Sequence, residues 1–274
     1  MSSFNLKKIA LVVLAAFGAG SSFAEIVVSS DTTIDSGNSV SYESLTITDG
    51  TYTNNGNVTV TAGSVEVEGG TFVNAREFTV NQNFNDSTGR FSNTGHLRAN
   101  QLTLSGWATL GGTINAADSI VLNLDGYAKQ VAGDLVLSTP DLQIVQDPEA
   151  NESGVVFSDQ DQIAHVDAVT VISYGKKTGL QVAENKRLSF KTIHLQYEQG
   201  TKNDARVEVM AGGHVDIENL TVAGRKGMIQ TNSGASANIA NIRVGEGSVL
   251  NLQTNGSGVA EDTTGEFTVS NIYS

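Results

Sequence analysis

The sequence lacks cysteine altogether and contains only two prolines, Pro140 and Pro148. Without cysteine no disulfide can cross-link the chain, so stability has to come from side-chain packing and backbone pairing. Glycine, serine, threonine, asparagine and valine dominate the composition instead. Such a mixture favours many short β-strands joined by tight turns, and it disfavours helices.

Basic residues are also scarce. The chain has 16 Lys and Arg against 29 Asp and Glu, a formal net charge of −13. Nucleic acids are bound through basic surface patches. We therefore expect no nucleic-acid partner, and we attribute the negative charge to solubility and self-repulsion.

Long apolar runs are missing too. A transmembrane helix needs about 20 apolar residues, and no run in the sequence is that long. A shorter run at residues 9–17 follows two lysines and precedes small residues that end at Ala24. This succession is typical of a secretory signal peptide. We predict a signal peptide over residues 1–24, cleaved after Ala24, and a single exported domain over residues 25–274.

Apolar residues recur in the pattern Φ-x-Φ-x-x-Φ-x-Φ, where Φ is apolar. Alternate residues of a strand face the same side, so each copy predicts two short strands with a bend between them and four inward side chains. The copies are Val40/Tyr42/Leu45/Ile47, Leu97/Ala99/Leu102/Leu104, Ala164/Val166/Val169/Val171, Leu188/Phe190/Ile193/Leu195, Val215/Ile217/Leu220/Val222 and Ala237/Ile239/Ile242/Val244.

A second repeat places glycine, an aromatic residue and asparagine at fixed spacing, at residues 50–54, 70–74 and 89–93, with a shorter copy at residues 112–115. A period near 20 residues is typical of one solenoid coil. The glycines are expected to allow sharp corners. Stacking of coils predicts an amide ladder and a core column. The ladder comprises Asn54, Asn74 and Asn93, and the column comprises Tyr52, Phe72, Phe91 and Ile114.

The two repeats together predict an all-β fold, a right-handed parallel β-helix (β-solenoid) of roughly 11 coils of about 20–22 residues. A β-sandwich or barrel is the alternative, but columns of identical residues at one period favour the solenoid. We expect a protruding acidic loop near residues 138–162, which contains both prolines, with a short paired segment at Leu142 to Val145. Residues 25–39 and 251–274 are expected to cap the ends.

The repeat style, for example VDIENLTVAG at residues 215–224 behind a signal peptide, resembles the passenger region of Gram-negative autotransporters, a β-helix of the pectin-lyase-like type. The resemblance implies an outer-membrane, cell-surface or extracellular location, with the periplasm as an alternative. In this family a translocator barrel follows the passenger, whereas this sequence stops at residues 271–274 without one. We therefore expect a truncated passenger, a passenger with a separately encoded outer-membrane translocator, or a free solenoid.

The resemblance further implies a non-enzymatic adhesin or interaction scaffold that binds a host or bacterial surface glycan or protein through contacts repeated on many coils. The alternative is a carbohydrate-active β-helix enzyme, a polysaccharide lyase or hydrolase, whose carboxylates would act as acid and base. A stalk that only spaces another domain is a third hypothesis.

Few side chains qualify as site candidates. Asp216 with Glu218, and Asp159 with Asp161, are acidic pairs that solvated surface explains, because no Lys or Arg column supports them. The histidines are too scattered for a transition-metal site. They are His96, His165, His194 and His214. Two of them, His194 and His214, lie beside inward positions and are expected to face solvent. We predict no catalytic residue, no cofactor and no metal. Trp107 is expected either as an exposed contact or in the core.

Overall fold

A computed structural model describes most of the chain beyond the predicted signal peptide. The described residues are 21–124, 127–146, 154–173, 179–197, 205–254 and 265–273. Apart from one 3₁₀ turn at Gln160–Gln162, their regular structure consists of short strands. The signal-peptide prediction lies outside the described residues except for residues 21–24.

The strands are numbered in chain order. The first thirteen are β1 (Ser21–Val28), β2 (Thr32–Ile34), β3 (Ser39–Ile47), β4 (Thr51–Asn54), β5 (Asn57–Val60), β6 (Val65–Val67), β7 (Thr71–Asn74), β8 (Glu77–Val80), β9 (Phe84–Asp86), β10 (Arg90–Asn93), β11 (His96–Leu104), β12 (Trp107–Leu110) and β13 (Thr113–Leu124). The others are β14 (Lys129–Val131), β15 (Val136–Gln146), β16 (Val155–Phe157), β17 (His165–Ser173), β18 (Leu180–Val182), β19 (Arg187–Tyr197), β20 (Ala205–Val209), β21 (His214–Gly224), β22 (Lys226–Thr231), β23 (Ser236–Val244), β24 (Val249–Thr254) and β25 (Glu266–Tyr273).

Every strand pairing in the described part of the chain is parallel, and the pairings build three sheets. Sheet 1 has 14 strands in the order β25-β23-β21-β19-β17-β15-β13-β11-β8-β5-β3-β6-β9, with β1 also on β3. Sheet 2 has the order β14-β12-β10-β7-β4-β2, and sheet 3 has the order β16-β18-β20-β22-β24. The chain returns to sheet 1 after each visit to sheet 2 or 3, which confirms the parallel β-helix.

Sheet 1 has twelve strand levels, because β5 with β6, and β8 with β9, each share one level. Twelve levels are separated by eleven turns of chain, in agreement with the predicted number of coils. The turns vary more in length than predicted, from 17 residues between His96 and Thr113 to 30 between Ser236 and Glu266. Right-handedness stays a prediction.

The apolar repeat folds largely as predicted. In β3 the four apolar positions are buried and the others are exposed or half-buried. Strands β11, β19 and β21 bury the same four positions. The prediction is wrong at the start of β17, where Ala164 is exposed and Ile163 is buried instead. A 3₁₀ turn ends there and shifts the inward position by one residue.

The predicted columns are present in the first coils. Tyr52 stacks on Phe72 with ring centroids 6.0 Å apart, and Phe72 stacks on Phe91 at 5.7 Å. The prediction for Ile114 is wrong. Ala108 of β12 lies below Phe91, whereas Ile114 pairs with Leu97 in sheet 1. The column leaves its aromatic register because the next coil places Ala108, six residues before Ile114, at this position of sheet 2.

The corner glycines have two different roles. Gly50 and Gly112 have a positive φ, +72° and +58°, as expected for a sharp corner, whereas Gly70, Gly89 and Gly106 lie where successive coils touch. An added Cβ on Gly89 would lie 2.6 Å from the Gly70 carbonyl oxygen, and one on Gly106 would lie 2.1 Å from that of Gly89. Glycine is needed at these three positions for close approach and not for an unusual backbone angle.

The predicted paired segment at Leu142 to Val145 is confirmed, but the loop prediction is wrong for the residues on either side of it, because β15 (Val136–Gln146) pairs with β13 and β17 over most of its length. Pro140 is tolerated in β15 because it lies at the bend, where the register with β13 is interrupted and no ladder N–H is required. Residues 147–153 lie outside the described part of the chain. The rest of the predicted loop, residues 154–162, contains the strand β16 and a 3₁₀ turn capped by Asp159.

Candidate functional site

A groove of about 510 Å³ crosses four neighbouring strands of sheet 1, β19, β21, β23 and β25, beside their bend. Its lining side chains are mostly small, polar or charged, and include Ser189, Lys191, Asp216, Glu218, Asn238 and Thr268. The strand register explains their proximity, since Ser189, Asp216, Asn238 and Thr268 occupy the same position on successive coils. Both members of the acidic pair Asp216 and Glu218 therefore line this groove.

Asp216 is the most heavily bonded side chain of the groove. Its Oδ2 accepts hydrogen bonds from Arg187 Nε at 3.1 Å and Nη2 at 2.8 Å. Its Oδ1 contacts His214 Nε2 at 3.0 Å and accepts a hydrogen bond from Asn238 Nδ2 at 3.0 Å. Two side chains that can carry positive charge, Arg187 and His214, therefore support this carboxylate, and the sequence pattern did not predict either contact.

These contacts determine the protonation state of Asp216. Partial burial by itself would raise the pKa of the carboxyl, but hydrogen bonds from His214, Arg187 and Asn238 outweigh it and lower the pKa below its usual value. A general acid needs a raised pKa so that it carries a proton near neutral pH. Asp216 instead remains ionised and serves as a fixed acceptor.

Replacing His214 with alanine is expected to raise the pKa of Asp216 towards its ordinary value, because one of the stabilising hydrogen bonds is lost. Carbon-13 NMR titration of the carboxyl measures this shift. In the parent protein, ionised Asp216 stabilises the fold above the pKa of an unfolded aspartate, and this contribution is lost as pH falls through the lower folded value.

The exposed His165 of β17 offers the matched control for that titration. His165→Ala should leave the pKa of Asp216 unchanged. An unchanged low pKa in His214→Ala would contradict the assignment of His214 as a partner.

His214 also joins Asp216 to a serine. The other ring nitrogen, Nδ1, lies 2.6 Å from Ser236 Oγ, so serine, histidine and aspartate form one hydrogen-bonded chain. His214 and Ser236 occupy equivalent positions on successive coils, which is enough to bring them together. The Ser236 N–H donates to the Gly213 carbonyl, so it is not available to an oxyanion.

An exposed amide ladder borders the groove at the bend. Asn241 Nδ2 donates to Asn219 Oδ1 at 3.2 Å, and Asn271 Nδ2 donates to Asn241 Oδ1 at 3.1 Å. Sequence reasoning missed this ladder. Its signal was present, because in three successive coils an asparagine directly precedes an inward residue, Leu220, Ile242 or the equivalent Ile272.

The remaining candidates are dispersed. Asp159 caps the 3₁₀ turn and accepts a hydrogen bond from the Asp161 N–H, while His194 contacts Thr221 on the next coil. Trp107 is 45% exposed and packs against Tyr127, so it is a surface residue. Among the described residues, no three His, Asp or Glu side chains are grouped closely enough to hold a metal ion.

The chain was compared with known proteins in three ways. No protein-family model matches it, and neither curated proteins nor solved structures provide a match. No described helix has the length and apolar character needed to span a membrane. The architecture and the groove are therefore the basis for any functional conclusion.

Proposed function

We propose that the protein is an exported, non-enzymatic binding scaffold of the autotransporter-passenger type, which holds a surface glycan in the groove across β19, β21, β23 and β25. The observation that carries this proposal is the repetition of hydrogen-bonding side chains over four coils at one strand position. Carboxylate, amide and hydroxyl groups suit a ligand rich in hydroxyls, because they offer both acceptors and donors. Repetition on successive coils suits a ligand that is itself a chain of similar units.

The hydrogen bonds of Asp216 support binding over catalysis. Arg187, His214 and Asn238 hold the carboxylate in place before any ligand arrives, so little side-chain entropy is lost on binding. Export and surface location are part of the proposal. They rest on the N-terminal sequence pattern and on the lack of cysteine. N-terminal sequencing of protein recovered outside the cytoplasm tests export, with Glu25 as the expected first residue.

Binding is tested on a glycan array, followed by calorimetry with the best oligosaccharide. Asp216→Ala is expected to weaken binding about tenfold or more, since hydrogen bonds to charged groups contribute about 1.5–3 kcal/mol. Glu68→Ala is the matched control, because it removes an exposed carboxylate far along the chain from the groove. Equal losses in both variants, or no glycan binding by the parent protein, would overturn the glycan proposal.

A carbohydrate-active hydrolase is the second candidate, and one observation favours it: the hydrogen-bonded chain of Ser236, His214 and Asp216. A nucleophile, a base and an orienting acid in contact are the arrangement that nucleophilic catalysis requires. Labelling of Ser236 by a fluorophosphonate, together with turnover of a polysaccharide or its esters that Ser236→Ala abolishes, would replace the scaffold proposal. If Ser236 is not labelled and no polysaccharide or ester is turned over, the hypothesis of a serine-dependent hydrolase is rejected.

A further inference from the structure

The last strands of the described chain leave an open edge. Where the structure describes it, at residues 251–254 and 265–273, the segment expected to act as the C-terminal cap consists of strands, with β25 terminal in sheet 1 and β24 terminal in sheet 3. Their apolar side chains are exposed, Ile272 by 71% and Val249 by 52%. An edge with unpaired main-chain groups and apolar side chains is a template for another strand.

The spacing on β25 defines what fits this edge. Phe267, Val269 and Ile272 are in register with the core residues Ala237, Ile239 and Ile242 of the preceding coil. A covering strand must therefore run parallel and present apolar residues at the spacing of the coil pattern.

The opposite end of the same molecule has such a strand. In β1, Ile26 and Val28 are in register with Leu45 and Ile47, which belong to the second apolar pair of the coil pattern. Ile272 occupies that same pair, because it is in register with Ile242. β1 of a second copy can thus continue sheet 1 beyond β25, with Ile26 packed on Ile272.

Charge is distributed unequally between the two ends. Residues 25–75 contain seven acidic residues and no Lys or Arg, whereas residues 205–274 contain seven acidic residues and four Lys or Arg. Arg225 and Arg243 are exposed on the last coils, close to the open edge. Head-to-tail contact brings the acidic end against the end that carries these arginines, while contact between like N-terminal ends would be repulsive.

We propose that the edge formed by β24 and β25 binds the N-terminal edge of a second copy of this chain, giving head-to-tail assemblies. Such a contact is heterologous, so it continues from copy to copy unless geometry closes a ring. The two proposals share β25, whose Thr268 lines the groove, but the apolar residues Phe267, Val269 and Ile272 used here are not part of the groove lining.

The test is sedimentation velocity over a concentration series, with the exported protein and a mature N-terminus established by mass spectrometry. The parent protein is expected to increase in mass with concentration, and Ile272→Glu to remain monomeric. Ile272 is largely exposed, so this substitution should not unfold the chain. Val156→Glu is the control, because Val156 is 42% exposed on β16, at the opposite end of sheet 3 from β24, and should leave assembly intact.

A cross-link determines the orientation. The chain has no cysteine, so Ile26→Cys and Ile272→Cys introduce unique thiols. Oxidation of the double variant should give ladders of multiple copies, and mixing the two single variants should give dimers. A concentration-independent monomer, equal loss of assembly in Val156→Glu, or dimers from Ile272→Cys alone would each overturn the proposal.

Discussion

Replacing Asn74 with aspartate is expected to lower the free energy of unfolding by about 4 kcal/mol, the range for an uncompensated buried charge. Asn74 is fully buried, and its Nδ2 donates to Asn93 Oδ1 at 2.7 Å and to the carbonyls of Arg76 and His96. In the variant a carboxylate oxygen would face these three acceptors in place of the amide donor that they now share. Urea denaturation followed by circular dichroism measures the loss.

The same variant makes a pH-dependent prediction. The buried carboxyl would have a folded pKa above that of an unfolded aspartate, so the variant is least destabilised below about pH 4. Its deficit relative to the parent grows as pH rises towards the folded pKa. Asn57→Asp, on the exposed side of the neighbouring coil, should cost under about 0.5 kcal/mol. Equal effects at the two positions would refute the role of the ladder.

Alanine at Gly106 is the second change with a large expected effect, a loss of about 3 kcal/mol through overpacking. The new methyl group would lie 2.1 Å from the Gly89 carbonyl oxygen and 2.8 Å from Asp86 Oδ2. Neither neighbour can retreat easily, because the Gly89 N–H donates to Asp86 Oδ1 and the Asp86 carbonyl accepts from the Ser105 N–H. Thermal and urea denaturation quantify the effect.

Gly133 supplies the control for this glycine. A Cβ there would meet nothing within 4 Å, and its φ is not positive. Gly133→Ala should therefore be neutral or stabilise by up to about 1 kcal/mol, because alanine restricts the unfolded chain. A parent-like stability of Gly106→Ala would show that the coils separate more readily than their contact distance indicates.

Much of the fold was predictable because each coil repeats one short-range pattern. Tyr42 and Leu45 point inward for the same reason as Leu220 does, and a single alternation rule describes them. Ile114 and the start of the acidic loop, within residues 138–146, were mispredicted because the coils change length there. A fixed period cannot reveal which corner absorbs an insertion, and Pro140 looked like a strand breaker although it lies at an interrupted register.

The site was less predictable than the fold. Asp216 was recognised as an outward acid, yet its partners Arg187 and Asn238 are 29 residues before it and 22 after it. Pairing them needs the strand register, which depends on the lengths of two unequal turns. Asn219 and Asn241 could have been aligned from their fixed position relative to the apolar repeat, since that column requires no knowledge of the turns.

Sheet 2 ends at β14 and sheet 3 begins at β16, in the middle of the molecule. Among the described residues these two strands are not paired with each other. At that level only sheet 1 continues, through β13, β15 and β17. In a stack where each coil contacts mainly its neighbours, a weak interface separates cooperative units. Under tension along its long axis, the molecule should yield first at this seam and extend in two steps, with each half retaining its own resistance to pulling.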